Sequence, residues 1–170
     1  MESLDAILNE AHGVMVARGD YGVEAGVARV PLMQKDTIYR ATQAGKPVIT
    51  ATQMLESMIH QVEPTRAEAS DVANAVLDGT SAVMLSGETA MGEFPVESVE
   101  VMSKIACAVE PSLGYRHEIP RAEDVPTIGQ AMSNAACDIA EALEAKAILV
   151  PTFSGRTASA VARLRPRRPI

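Results

Sequence analysis

The sequence predicts a parallel α/β protein, built either as a (β/α) barrel or as a doubly wound sheet. Three observations point there. Short apolar runs recur along the chain, and a helical stretch follows each. The runs end at Ala17, Ala51 and Leu85, each 34 residues beyond the one before. The intervening helices carry recognisable start and stop residues. A period of this length also suits a helix-only repeat array, but half of each unit is a β-rich run, which excludes that reading.

The strand runs are Gly13-Val14-Met15-Val16-Ala17, Pro47-Val48-Ile49-Thr50-Ala51 and Ser81-Ala82-Val83-Met84-Leu85. They are too short for helices and too continuous for strands with one wet face, so they are expected to be buried on both faces. The first helix is expected over 30–44, with Pro31 near its start and Gly45 at its stop. The second spans 65–77. It opens Thr65-Arg66-Ala67-Glu68, a capping box in which hydroxyl and carboxylate each satisfy an otherwise unpaired N–H, and Gly79 closes it. The third spans 95–109, with Pro95 in the favourable first turn. Strand–helix units at this spacing imply right-handed crossovers between parallel strands.

Residues 1–110 therefore read as one domain and 111–126, holding Pro111, Pro120 and Pro126, as a linker. Residues 127–170 follow with a helix over 127–143, a strand over 146–150 and a helix over 154–164. The end, Arg167-Arg168-Pro169-Ile170, reads as the start of another strand. This second region is too small to bury a core alone, so the sequence is expected to begin and end in mid-fold.

Composition narrows the function classes. Hydrophobic residues make up 47% and charged residues 22%, a globular balance, and the formal net charge is −7. That charge argues against nucleic acid or an anionic membrane as partner. The basic run Arg156, Arg163, Arg165, Arg167 and Arg168 reads as a solvated helix end and a frayed terminus. Cys107 and Cys137 are too few and too far apart for a zinc site or a redox pair, and are expected to be reduced. His12, His60 and His117 fit no ligand spacing and read as surface or loop residues, whereas Met54 and Met58 share a helix-like face suited to packing. No apolar stretch reaches about 18 residues and no secretory signal opens the chain, so a cytoplasmic location is expected.

Chemistry in such folds sits where strands run out at their C-terminal ends. Here those ends read Arg18-Gly19-Asp20, Thr52-Gln53 and Ser86-Gly87-Glu88-Thr89. Gly19 permits close backbone approach, Asp20 offers a hard oxygen suited to Mg²⁺, and the Thr52 hydroxyl can bond a substrate or a water. A Gly-Asp pair is often only a turn or a cap, but three polar ends in register argue for a site. In the second region, Thr152-Phe153-Ser154-Gly155-Arg156-Thr157 lies between a strand and a helix. Its N–H groups, hydroxyls and Arg156 suit a phosphate cradle, and an ordinary Ser-capped helix fits equally.

These residues resemble the pyruvate kinase family. The resemblance lies in Met15-Val16-Ala17-Arg18-Gly19-Asp20, in Ala51-Thr52-Gln53-Met54-Leu55-Glu56-Ser57-Met58 with Pro64-Thr65-Arg66-Ala67-Glu68, in Asp71-Val72-Ala73-Asn74-Ala75-Val76-Leu77-Asp78-Gly79, and in Met84-Leu85-Ser86-Gly87-Glu88-Thr89-Ala90. It implies the last three βα units of a TIM-type (β/α)8 barrel followed by part of a C-terminal α/β domain. It also implies transfer of the phosphoryl group of phosphoenolpyruvate to ADP, giving pyruvate and ATP, the last step of glycolysis, with Mg²⁺ (or Mn²⁺) and K⁺ as cofactors.

By the same resemblance Asp20 ligates the divalent ion, the backbone around Arg18, Gly19 and Asp20 holds the substrate carboxylate, and Thr52 lies beside the enolate carbon near the path of proton delivery. Arg18 and Thr52 are then catalytic, and Glu88 lies behind the site or on its nucleotide side. Thr152, Ser154, Gly155, Arg156 and Thr157 match the family's loop for a phosphorylated effector, and the family assembles as homotetramers. The family's preceding strand brings a Lys that faces the transferring phosphoryl group and a Glu that is the second metal ligand. Neither is in this chain, which is therefore expected to be inactive alone. Tyr21 stands where the family commonly has Leu, and Ser81 where it has Asp. The alternative reading is a non-catalytic fragment that binds a phosphorylated effector or a partner subunit.

Overall fold

The three apolar runs form β1 (Val14–Ala17), β2 (Val48–Ala51) and β3 (Ala82–Met84), hydrogen-bonded in the order β1-β2-β3 as one parallel sheet. Val14 pairs with Val48 and Ala17 with Ala51, while Ile49 pairs with Ala82. The computed structural model from which this is read describes residues 3–113 and 127–170. The chain divides into two compact units, Met1–Ser112 and Leu113–Ile170. His117 and most of the expected linker lie outside the described residues.

Helices of the first unit are α1 (Leu4–Glu10), α2 (Arg18–Ala25), α3 (Val30–Gln43), α4 (Arg66–Leu77), the short α5 (Gly87–Ala90) and α6 (Pro95–Val109). α3, α4 and α6 fall where their caps and periodicity place them. α1, α2 and α5 are additions, each a short segment whose apolar spacing is too brief to stand out. One core joins Leu4 and Leu8 of α1, Ile38 and Ala41 of α3, and Val16 and Val48 of the sheet. A second joins Met54, Leu55 and Met58 to Val72 and Ala75 of α4 and Met102 of α6. Met54 and Met58 are thus core residues, as their spacing indicates.

The expectation of strands buried on both faces is met on one face only. Val16, Val48 and Thr50 are fully buried under the helices, whereas the paired Met15 and Ile49 stay 48% and 38% exposed. The side chains of a strand alternate between faces, and the helices of this unit cover a single face.

α4 opens with the expected box: Glu68 N–H donates to Thr65 Oγ1 (3.2 Å) and Thr65 N–H to the Glu68 carboxylate (2.8 Å). The same carboxylate accepts from the Ser57 N–H (2.7 Å) and the Ser57 hydroxyl (2.5 Å), so it also anchors the turn Glu56–Ile59. Partial burial works to raise the pKa of Glu68, but the bonds from Ser57 and Thr65 outweigh it and hold the carboxyl below its usual value.

Helix ends follow a common pattern. Gly45, at φ 67°, and Gly79, at φ 91°, follow α3 and α4. Lys46 N–H bonds Ala41 O (2.8 Å) and Thr80 N–H bonds Ala75 O (3.2 Å), closing Schellman motifs.

In the second unit α7 (Ile128–Ala142) packs on α8 (Arg156–Arg163) through Cys137, Ala140 and Val161, with Ile148 between them in the chain. Thr127 and Gln130 form a second capping box, which the sequence reading passed over. α7 closes in the same Schellman geometry (Ala145 N–H to Ala140 O, 2.8 Å), but Glu144 holds the left-handed position at φ 48°. The strand expected over 146–150 does not form among the described residues. Ile148 N–H finds Pro169 O at 2.8 Å, one bond where a ladder needs a series.

The basic tail is tied down instead of frayed. Arg167 donates to Leu113 O (2.8 Å), and Arg168 lies 3.5 Å from the Glu141 carboxylate. Cys137 is buried and Cys107 exposed, and neither forms a disulfide among the described residues. Among the described residues, no helix is long and apolar enough to cross a membrane.

Replacing Glu144 with Gly relieves a left-handed side chain and raises stability by roughly 0.5–1 kcal/mol, read as a higher denaturant midpoint at unchanged slope. A midpoint that stays put would show that Glu144 bears no strain there. Because the Glu68 carboxyl is lowered in the folded chain, its contribution is present above the ordinary value of 4.5 and fades as pH falls through the lowered one. Glu68→Gln should flatten the acid limb of the stability profile, and Thr65→Ala should cost about 1 kcal/mol at neutral pH.

Candidate functional site

β1 runs directly into α2, so Arg18, Gly19 and Asp20 form the first turn of that helix. Its opening N–H groups have no partner within the helix and no side chain caps them, Gly19 excepted. Thr52 and Gln53 follow β2 directly, at φ 70° and 51°. Two consecutive non-glycine residues in left-handed backbone are strained by about 1–3 kcal/mol each, and such strain persists only where the surroundings impose it.

The surroundings here are charged. Arg18 is 8% exposed. Its Nε and Nη2 donate to Thr52 O at 3.1 and 2.6 Å, and Nη2 also donates to Gln53 O at 2.8 Å. Nη1 meets the Asp71 carboxylate of α4 at 2.5 Å. The left-handed turn places the Thr52 hydroxyl against α2, where it accepts the Gly19 N–H at 3.1 Å. A Cβ added to Gly19 would meet only Thr52 Oγ1, at 3.8 Å, so the space beside Gly19 is open.

Glu88, 2% exposed at the start of α5, accepts from Leu55 N–H (3.0 Å) and Ser86 N–H (2.8 Å). It therefore joins the loop after β2 to the end of β3, and both its oxygens are engaged by backbone.

Of the residues singled out from sequence, Arg18, Gly19 and Thr52 come together directly, and Asp20 sits exposed beside them in the first turn of α2. Among the described residues no three His, Cys, Asp or Glu side chains gather as a metal cluster. Mg²⁺ takes several convergent oxygens, so Asp20 fits a divalent ion only as one contributor among others.

In the second unit, the Gly155 N–H donates to Thr152 Oγ1 at 3.1 Å and Gly155, at φ 79°, is the residue preceding α8. No side chain caps α8, so Ser154 is not the helix cap that one reading expected. Ser154, Arg156 and Thr157 are exposed and Phe153 stands fully out.

Asp71 was not assigned a role from sequence, and its signal was present. Glu68, Asp71, Val72 and Ala75 fall at helical spacing on one face of α4, and Val72 and Ala75 are fully buried. Carboxylates on the inward stripe of a helix need a partner. Arg18, 53 positions away, is that partner.

A model of the pyruvate kinase barrel domain matches residues 1–99, and a model of the pyruvate kinase alpha/beta domain matches residues 130–170. The chain is 52% identical to a pyruvate kinase of Sporosarcina psychrophila, covering 100% of this chain and 29% of that protein. It is 51% identical to a pyruvate kinase of Geobacillus stearothermophilus over 99% of this chain and 29% of that protein. A crystal structure of a pyruvate kinase from Cryptosporidium parvum superposes with a TM-score of 0.88 at 44% identity, covering 98% of this chain and 35% of that one. The chain thus spans about a third of the length of the proteins it matches. With one domain model covering more than half of its residues and a second covering most of the rest, the chain belongs to the pyruvate kinase family.

Proposed function

We propose that this chain supplies part of a pyruvate kinase, which moves the phosphoryl group of phosphoenolpyruvate to ADP and releases pyruvate and ATP. Residues 1–110 are the last three βα units of a TIM-type barrel, 111–126 a linker, and 127–170 the opening of the C-terminal α/β domain. The observation that carries this is the meeting of two strand ends, with Gly19 N–H on Thr52 Oγ1 at 3.1 Å beside the exposed Asp20.

In this reading the backbone around Arg18, Gly19 and Asp20, in the first turn of α2, holds the substrate carboxylate, since a helix N-terminus favours an anion. The Thr52 oxygen accepts from Gly19, which leaves the hydroxyl proton for another acceptor. That suits a group beside the enolate carbon, near the route by which the carbon gains its proton. Asp20 contributes one oxygen to Mg²⁺ or Mn²⁺, an ion that would offset charge on the transferring group. K⁺ and the remaining metal ligands come from elsewhere in the enzyme, so the chain alone does not turn over.

The exposed Thr152–Thr157 loop, with its hydroxyls and Arg156, binds a phosphorylated effector. A non-catalytic effector-binding fragment is the second reading, and the uncapped N-terminus of α8 favours it. The enzyme works in the cytoplasm as a homotetramer.

A chimera tests this. The matching segment of the Geobacillus stearothermophilus relative, 51% identical, is replaced by this chain, and ATP formation from phosphoenolpyruvate and ADP is followed with Mg²⁺ and K⁺. The chimera should be active, and Asp20→Ala or Thr52→Val should lower kcat by about a hundredfold or more. A folded chimera without activity, or one indifferent to both changes, would overturn the proposal. The isolated chain should give no turnover, and activity there abolished by Asp20→Ala would show that its own residues suffice.

A further inference from the structure

We propose that Arg18 and Asp71 are positioning residues whose charge pair holds the Thr52–Gln53 turn in left-handed backbone and thereby sets the direction of the Thr52 hydroxyl. This rests on the reading of Thr52 as the group beside the reacting carbon.

Arg18 is placed to act through Thr52 and not on a substrate. Its guanidinium is nearly sealed from solvent, and the bonds it makes run to Thr52 O, Gln53 O and Asp71. The two carbonyls it grips belong to the two residues with positive φ at the end of β2, at 70° and 51°. An arginine that only tied α2 to α4 would need Asp71 and no more. Here one fork spans both contacts, so the position of α4 is transmitted through Asp71 and Arg18 to the backbone of Thr52.

The consequence for the hydroxyl is directional. With Thr52 in left-handed backbone, its Oγ1 takes the Gly19 N–H, which fixes the rotamer and leaves one proton to donate. In extended backbone, the usual region for a threonine after a strand, the side chain would turn away from Gly19. Asp71 belongs to the same device although it lies in another helix, because a buried guanidinium without its carboxylate does not keep its place. Glu88 secures the far side of the loop through Leu55 N–H, so the turn is held at both ends.

The test reads the Gly19 amide of this chain by ¹⁵N-¹H spectroscopy and hydrogen exchange. Thr52→Val removes the acceptor and identifies the shift and exchange rate of an unbonded Gly19 N–H. Asp71→Ala should move Gly19 towards that state, with exchange at least tenfold faster, while amides of the β1–β2 ladder keep their protection. Asp71→Asn, which keeps an acceptor for Arg18, should restore most of the native signal. If Gly19 is unchanged in Asp71→Ala, or if it loses protection only together with the ladder amides, the proposal is overturned. The readout needs no turnover, so its failure leaves the phosphoryl-transfer reading standing, and an inactive chimera would leave this brace standing.

Discussion

The guanidinium of Arg18 joins three segments that are remote in sequence: the start of α2, the turn after β2 and the middle of α4. Its bonds to the Thr52 and Gln53 carbonyls and to Asp71 form a small, half-buried network of mixed charge, with Arg18 buried and Asp71 partly exposed. A hydrogen bond involving an ionised group contributes about 1.5–3 kcal/mol, comparable with the strain of each left-handed residue. Bonds of that size offset the strain of the turn. Removing one member of a buried charge pair costs more than the pair contributes, so the network behaves as a unit.

The same device recurs around it. Glu88 accepts two backbone N–H groups from loops after different strands, and Glu68 accepts from Ser57 while closing its own capping box. Apolar cores hold the helices against one face of the sheet, as Val16, Ile38, Val48 and Val72 show. Buried or half-buried charged groups hold the loops at the ends of the strands. That division has a physical cause: irregular backbone presents N–H and C=O groups with no ladder partner, and only polar side chains can satisfy them. Loops fixed in this way keep their donors and acceptors in place before a substrate arrives, as electrostatic catalysis requires.

Much of this was legible in the sequence. The three strand runs, the α3 and α4 stops at Gly45 and Gly79, the Thr65–Glu68 box and the Pro95 start of α6 are local signals, and local chemistry decides them. Arg18, Gly19 and Thr52 were visible as polar groups at strand ends in a βα pattern. The partners of Asp71 and of Glu88 were not, because those contacts span 53 and 33 positions and no spacing rule connects them. The segment 146–150 has the composition of a strand without forming one, since pairing depends on a neighbour and not on propensity.

The sequence alone determined the order of the three strands with α3, α4 and α6, the caps of those helices and the polar residues at the ends of the strands, since these rest on interactions within about a turn of the chain. The tertiary structure decided which face of the sheet is covered, that Arg18 faces inward to Asp71, and that Thr52 and Gln53 adopt left-handed backbone. Those outcomes depend on groups brought together across the sheet, where burial strengthens each charge-assisted bond and a strained conformation is kept by partners that local sequence does not contain.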